Sequence, residues 1–343
     1  GFFSHMKFNK DGFGSFFRSR MMRVAVPFVV GWIILRPLIV SGWIMGGESM
    51  RGDVNIFSGL AQGFASLLTL PENLLTGTHL WFLYYLLIIT GMTISINYAL
   101  SISGAFNRKL SKITNQIMNW VCKSPISIFV IAMPTAACLW FMNNWGVDTP
   151  DKSLLPHLPV LATYGGFFLF GWLLHRNVQL IEHFAQLTWW KAVLCLFAIL
   201  SVLSLSGYES NKAHDNYLLI KSCYVYSYAV MMWLLVSLSI SICKKLFNNA
   251  NQIVRYIADS SYWLYLIHLP IVVWLQIAFA ELDLHWGLKL IAICSITITL
   301  SLLIYDALIR STFIGKVLNG KRKERQIFKR RHKDMDNVKC KAS

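Results

Sequence analysis

The sequence predicts an all-α polytopic membrane protein with about eight transmembrane helices. Three observations predict it. Only 14% of the 343 residues are charged and 55% are hydrophobic, against about 25% charged residues in soluble domains. The apolar residues, which raise the mean hydropathy to +0.51, gather into runs of roughly 20, the length that crosses a ~30 Å hydrocarbon core. The 13 Trp, 13 Tyr and 22 Phe suit two interfacial belts, where aromatic rings anchor spans. The period-two alternation of barrel strands is absent from these runs.

Length and periodicity place spans over residues 24–46, 79–103, 126–146, 158–176, 190–207, 218–243, 257–280 and 286–309. The loops between them set the orientation. Residues 1–23 hold Lys7, Lys10, Arg18, Arg20 and Arg23, whereas loop 47–78 has Arg51 against Glu48, Asp53 and Glu72. Loop 104–125 is basic again (Arg108, Lys109, Lys112, Lys123), and loop 147–157 sets Asp148 and Asp151 against Lys152. Lys244, Lys245 and Arg255 follow in 244–256, then Glu281 and Asp283 in 281–285. Basic loops alternate with neutral or acidic ones, as the positive-inside rule requires, so both ends are expected in the cytoplasm. Within loop 47–78, the stretch Ile56 to Leu70 is apolar with helical spacing but too short to span; it is expected to lie at the interface or to re-enter.

The membrane domain is expected to end near residue 310. Residues 311–343 form a basic tail, with Lys321-Arg322-Lys323 and Lys329-Arg330-Arg331, expected to be mobile near anionic headgroups. The net charge of +16 does not argue for nucleic acid, because the cations collect in alternate loops and in the tail. Seven cysteines without a CxxC pair, mostly inside apolar runs, support neither a disulfide frame nor a metal site. The opening Gly-Phe-Phe-Ser reads as the end of an apolar segment, so the sequence is expected to be a fragment lacking its N-terminal spans.

Four places carry chemistry, since ionisable groups at membrane depth are costly and tend to mark function. Arg20 and Arg23, ahead of Val24-Ala25-Val26-Pro27, share a helix face at the cytoplasmic boundary. Their guanidinium forks suit a phosphate-bearing ligand, or serve only as positive-inside anchors. His79-Leu80-Trp81-Phe82-Leu83 opens a span from the outer side; His79 and Trp81 are site candidates or an interfacial belt pair. In Ser261 to Pro270, His268 lies near mid-span with Tyr265 and Ser261 one and two turns back, close to its face. Pro270 lacks an N–H and so frees a backbone carbonyl nearby. In the last span, Asp306 and Arg310 stand at i,i+4, the spacing of an intrahelical ion pair. Arg36 is a lone deep charge that must find a partner or a wet cavity.

In this order the pieces resemble the acyltransferase 3 family of bacterial membrane proteins. The matching motifs are Arg20-x-x-Arg23-Val24-x-x-Pro27, the His79–Leu83 span start, the glycine-bearing run Gly165 to Gly171, Ser261-x-x-x-Tyr265-Leu266-x-His268-x-Pro270, and Asp306 before Arg310. The resemblance implies a ten-helix bundle whose principal histidine lies in a span upstream of Gly1. It also implies transfer of an acyl group, acetyl or succinyl, from acyl-CoA to a hydroxyl of a periplasmic glucan or surface polysaccharide, with no resident cofactor. On this reading Arg20 and Arg23 hold the donor, His79 and His268 are catalytic, and Trp81, Ser261, Tyr265, Asp306 and Arg310 support them. With His79 at the outer side and His268 at mid-depth, an acyl path is expected to run between the two. One departure is Arg310-Ser311-Thr312, where the family often carries Arg-x-Pro. A glycan transporter using the same deep charges is the rival reading, and it would call for a broken helix repeated in two halves, which the sequence lacks.

Overall fold

The structure, a computed structural model, describes residues 1–49, 54–69, 74–75, 78–150, 153–249 and 251–327. The loop charges Arg51, Asp53, Glu72, Asp151 and Lys152, and the run Lys329 to Arg331, lie outside the described residues. The described residues form helices and turns without strands. Among the described residues thirteen α-helices run in order: α1 Phe2–Arg20, α2 Val26–Ser49, α3 Ile56–Ala65, α4 Trp81–Ile102, α5 Gly104–Lys123, α6 Ser127–Trp140, α7 Leu158–Arg176, α8 Leu180–Phe184, α9 Trp189–Ser206, α10 Tyr217–Leu246, α11 Gln252–Ala280, α12 Trp286–Ile304 and α13 Phe313–Asn319. Two π turns, Met21–Ala25 and Tyr305–Ile309, interrupt the ladder before α2 and after α12.

Among the described residues, seven helical stretches are long and apolar enough to cross a membrane, and α5 with α6, bent by 111°, forms an eighth if the pair counts as one span. The chain is therefore a polytopic α-helical membrane protein. Three expectations change. Residues 1–23 are helical, not a loop, and α1 runs through the first π turn into α2. Counting charges detects the cations but not the i,i+3 and i,i+4 spacing of Phe13, Phe16 and Phe17, nor the Lys7–Asp11 ion pair at i,i+4 (3.8 Å). Gly12 kinks this helix at φ 73°, a conformation that costs glycine little. Residues 104–123 are likewise a helix, with Met118, Val121 and Cys122 buried beneath a basic face. The span expected at 126–146 is a helix of only 14 residues, roughly 21 Å long at 1.5 Å per residue and short of the hydrocarbon core.

The chain divides into two compact units. One comprises Gly1–Arg18 and Trp81–Asn251; the other comprises Ser19–Leu80 and Gln252–Ser343. In the first, α10 packs on α9 and α6 around a core that includes Tyr85, Leu139, Trp145, Trp233 and Leu234. Lys191 is buried at the start of α9, and its ammonium donates to the Phe184 carbonyl (2.8 Å) and the Ser237 hydroxyl (3.2 Å), tying α8 and α10 to α9. These bonds offset the cost of taking the charge out of water. The outward side chains of α9, such as Leu196, Phe197, Leu200 and Leu203, are exposed, as expected of a face solvated by lipid.

In the second unit α2 packs against α3 and α11, and α11 against α12. The apolar stretch expected at 56–70 is α3, capped by the Asn55 side chain, which accepts from the Ser58 N–H (3.0 Å). Gly59 and Gly63, one turn apart, let α3 approach closely: a Cβ at Gly63 would stand 2.5 Å from the Pro37 carbonyl and 2.8 Å from the Ser41 Cβ. Small residues at this spacing are the usual device for close helix contact in lipid. Arg36 meets its need here. Its Nη1 donates to the Ser66 carbonyl at the C-terminus of α3 (3.0 Å), where the helix dipole favours a cation, and its guanidinium lies over the Trp32 ring.

The segment after Arg310, expected as a mobile tail, is folded as far as residue 327. Helix α13 buries Gly315 and Leu318 and packs on the first π turn, on α11 and on the second π turn. It closes at Gly320, whose φ of 81° is the left-handed C-cap that glycine supplies.

Candidate functional site

The site is built on one face of α11. Pro270 has no N–H, so the carbonyl four residues back, that of Leu266, loses its helical partner. His79 takes that place, with its Nε2–H donating to the Leu266 carbonyl at 3.0 Å. A carbonyl oxygen only accepts, so this bond fixes the proton on Nε2 and, in the neutral imidazole, leaves the lone pair on Nδ1. That Nδ1 is buried and has no hydrogen-bond partner.

His268 is the complement. Its Nδ1–H donates to the Tyr265 carbonyl (2.8 Å) within its own helix, so the lone pair sits on Nε2. The two rings face each other edge to face, with centroids 5.0 Å apart. The structure thus joins His79 and His268 into one pair; they are not the two ends of a path. Each ring offers an unprotonated nitrogen and has its N–H committed to backbone. Such a pair can take a proton from a hydroxyl and return it to a leaving group.

Tyr265 supports this pair with its side chain as well as its carbonyl. Its hydroxyl donates to the His79 carbonyl (2.8 Å), and its ring meets the His79 ring at 5.3 Å. Residues 262, 265 and 268 recur at intervals of three, so they share a stripe of α11. Tyr262 stacks on Tyr265 at 6.5 Å, and its hydroxyl donates to the Arg23 carbonyl (2.5 Å) in the first π turn. A continuous row therefore leads from Arg23 through Tyr262 and Tyr265 to the histidine pair. From residue 262 to 268 it covers roughly 9 Å along the helix.

Arg20 precedes that π turn and Arg23 lies within it, a local widening often found at functional sites. Arg20 lies within Coulombic reach of Arg23 and Tyr262. The Arg23 guanidinium rests against the Gly320 backbone, where a Cβ would fall 1.7 Å from Nη2. Gly320 is therefore required twice, for its positive φ and for this close approach. Lys321 and Arg322 follow it directly, adding cations next to the segment that Arg23 touches.

The remaining candidates lie elsewhere. Ser261 is exposed, and its hydroxyl donates to the Ala258 carbonyl of its own helix (2.8 Å), away from the His268 ring. Trp81 belongs to the first unit, where it packs edge-on against Tyr85 and Tyr164. Asp306 lies in the second π turn and Arg310 caps it, and its wider register takes them off the simple i,i+4 face. Fully buried Asp306 accepts from the backbone N–H groups of Gln326 and Ile327, both at 2.9 Å. Arg310 Nε donates to the Glu324 carbonyl (2.6 Å), and its guanidinium lies over the Tyr256 ring at 4.8 Å. Together with the Lys323–Asp259 ion pair, these two residues hold the chain that follows α13. Tyr262 is the functional residue that sequence reasoning passed over; its recurrence three positions before Tyr265 was the available signal.

The profile of the acyltransferase 3 family, described as an acyltransferase domain, matches residues 1–306. No curated protein and no solved structure matches the chain. The family match spans most of the chain, including Arg20, Arg23, the histidine pair and Pro270, and the chain belongs to the acyltransferase 3 family of membrane acyltransferases.

Proposed function

We propose that this protein transfers an acetyl or succinyl group from acyl-CoA to a hydroxyl of a periplasmic or cell-surface glycan, working in the bacterial inner membrane with both described ends toward the cytoplasm. The observation that carries the proposal is the His79–His268 pair, with each N–H spent on a backbone carbonyl and a lone pair left on the other ring nitrogen to act as a base. The acceptor hydroxyl gives its proton to one of these nitrogens as its oxygen attacks the thioester carbonyl. The tetrahedral intermediate then collapses, the C–S bond breaks, and the imidazolium returns the proton to the leaving CoA thiolate. Arg20 and Arg23 bind the phosphates of CoA, with Lys321 and Arg322 nearby. The His79–Leu83 start and the Tyr305-x-x-x-x-Arg310 spacing look like those of glucans biosynthesis protein C, which favours a periplasmic glucan as acceptor.

Incubating the protein in membranes with radiolabelled acyl-CoA and glycan tests the reaction. Label on the glycan is expected; CoA-independent movement of unmodified glycan would replace the transferase with a transporter. Arg23→Ala is expected to raise the apparent KM for acyl-CoA more than Arg23→Lys does, because lysine keeps the charge and loses the fork. Equal and negligible effects would return both arginines to topology anchors. Single cysteines introduced at Leu155 and Arg325 in a cysteine-free background should label from opposite sides of the membrane. Labelling from one side would overturn the orientation.

A further inference from the structure

In the first unit α4, α5 and α7 enclose a groove of about 630 Å³. Most of its wall is apolar, with Ile89, Ile96, Leu100, Leu161 and Leu169 along its length. Gly165 lines it as well, and a Cβ there would meet nothing within 4 Å, so the space over that glycine is open. The chemistry changes at one end, where Asn97, Asn107, Ser111 and Arg176 line the groove. The same four residues line an adjoining cavity of about 230 Å³, to which Arg108 and His5 are added. The Arg176 guanidinium is held in place by the hydroxyls of Ser111 and Thr114. The N-terminal half of α5 carries Arg108, Lys109 and Lys112 at this end without one carboxylate. The outcome is a long apolar channel that ends in a compact, cationic, hydrogen-bond-donating head.

We infer that this groove binds an anionic glycerophospholipid, with one acyl chain along Ile96, Leu161 and Leu169 and the phosphate between Arg108 and Arg176. The apolar wall alone would accept any chain of the bilayer. The cationic end adds selection by headgroup, because an anionic lipid gains charge-assisted bonds there that a zwitterionic lipid cancels with its own ammonium. This inference does not depend on the acyl-transfer reading, since none of its residues belongs to the histidine pair or the donor arginines.

Purified protein, stripped of lipid and reconstituted with phosphatidylglycerol or with phosphatidylcholine of the same chains, tests the inference by native mass spectrometry and lipid-dependent melting. Wild type is expected to retain phosphatidylglycerol preferentially and to melt higher with it. Arg108→Gln and Arg176→Gln, both at exposed positions, should each weaken that preference by about fivefold, the share of one basic residue near an anionic surface. Gly165→Leu should reduce retention of both lipids by filling the groove. It should still fold, because leucine is the better helix former and no atom stands in its way. Equal retention of the two lipids by wild type would overturn the inference. So would unchanged phosphatidylglycerol retention in the arginine variants, or displacement of the lipid by acyl-CoA at equal concentration.

Discussion

His79→Gln is expected to lower the rate of acyl transfer by about 10²–10⁴, the range typical for loss of a general base, while leaving the fold intact. The glutamine amide sits where Nε2 did and can still donate to the Leu266 carbonyl that Pro270 leaves without a partner. Only the lone pair at Nδ1 is removed. His268→Asn is the matching change: its amide reproduces the Nδ1–H bond to the Tyr265 carbonyl and removes the nitrogen at Nε2. His79→Ala is the contrast, because it strips the donor from a buried carbonyl and should also cost about 1–3 kcal/mol of stability. Since the two rings face each other at 5.0 Å, the double variant His79→Gln/His268→Asn should lose less than the product of the single losses. Initial rates with saturating acyl-CoA, read beside melting temperatures, check all four variants. Wild-type turnover in both single variants would remove the pair from the chemistry.

The second large effect concerns stability. Gly63→Leu is expected to undo the docking of α3 on α2. Its Cβ would meet the Pro37 carbonyl at 2.5 Å, Ser41 Cβ at 2.8 Å and Ser41 N at 3.0 Å, and two of these three atoms are backbone that cannot rotate aside. Overpacking of this kind costs about 1–3 kcal/mol. Displacing α3 also takes the Ser66 carbonyl away from buried Arg36, and a hydrogen bond to a charged group is worth about 1.5–3 kcal/mol. Gly91→Leu is the control, because a Cβ at Gly91 meets nothing within 4 Å. In detergent, Gly63→Leu should melt several degrees below wild type and Gly91→Leu close to it. Equal melting of the two would show that the contact contributes nothing.

The sequence made the spans legible because burial in lipid demands long apolar runs, and those runs stand out in the linear pattern. It read α3 correctly as a short apolar helix in a loop. It misread residues 1–23 and 104–125 as loops, because positive-inside reasoning weighs charge and these stretches are charged helices with a narrow apolar face. The fold of residues 313–327, the described part of the expected tail, is illegible for a related reason. The contacts that fix residues 313–327 come from Asp306, Asp259 and Arg23, which are distant in sequence and leave no local period.

The site was half legible. His268, Tyr265, the carbonyl freed by Pro270 and the paired arginines can all be read from spacing within one helix. That His79 fills that carbonyl cannot, since 187 positions separate His79 from Leu266. Nor do the two π turns announce themselves, because a ladder widened by one residue keeps the composition of a helix. The same limit hid the pairing of His5 with His175 across 170 positions.

The imidazole tautomers of the histidine pair test the central claim most directly. With ¹⁵N-histidine-labelled protein in lipid, the signals lost in His79→Gln and in His268→Asn assign the two rings. His79 is expected to be protonated at Nε2 and bare at Nδ1, and His268 to be protonated at Nδ1 and bare at Nε2. Finding either ring with its lone pair on the nitrogen assigned here as the donor to a backbone carbonyl would contradict the geometry on which the proposed base rests.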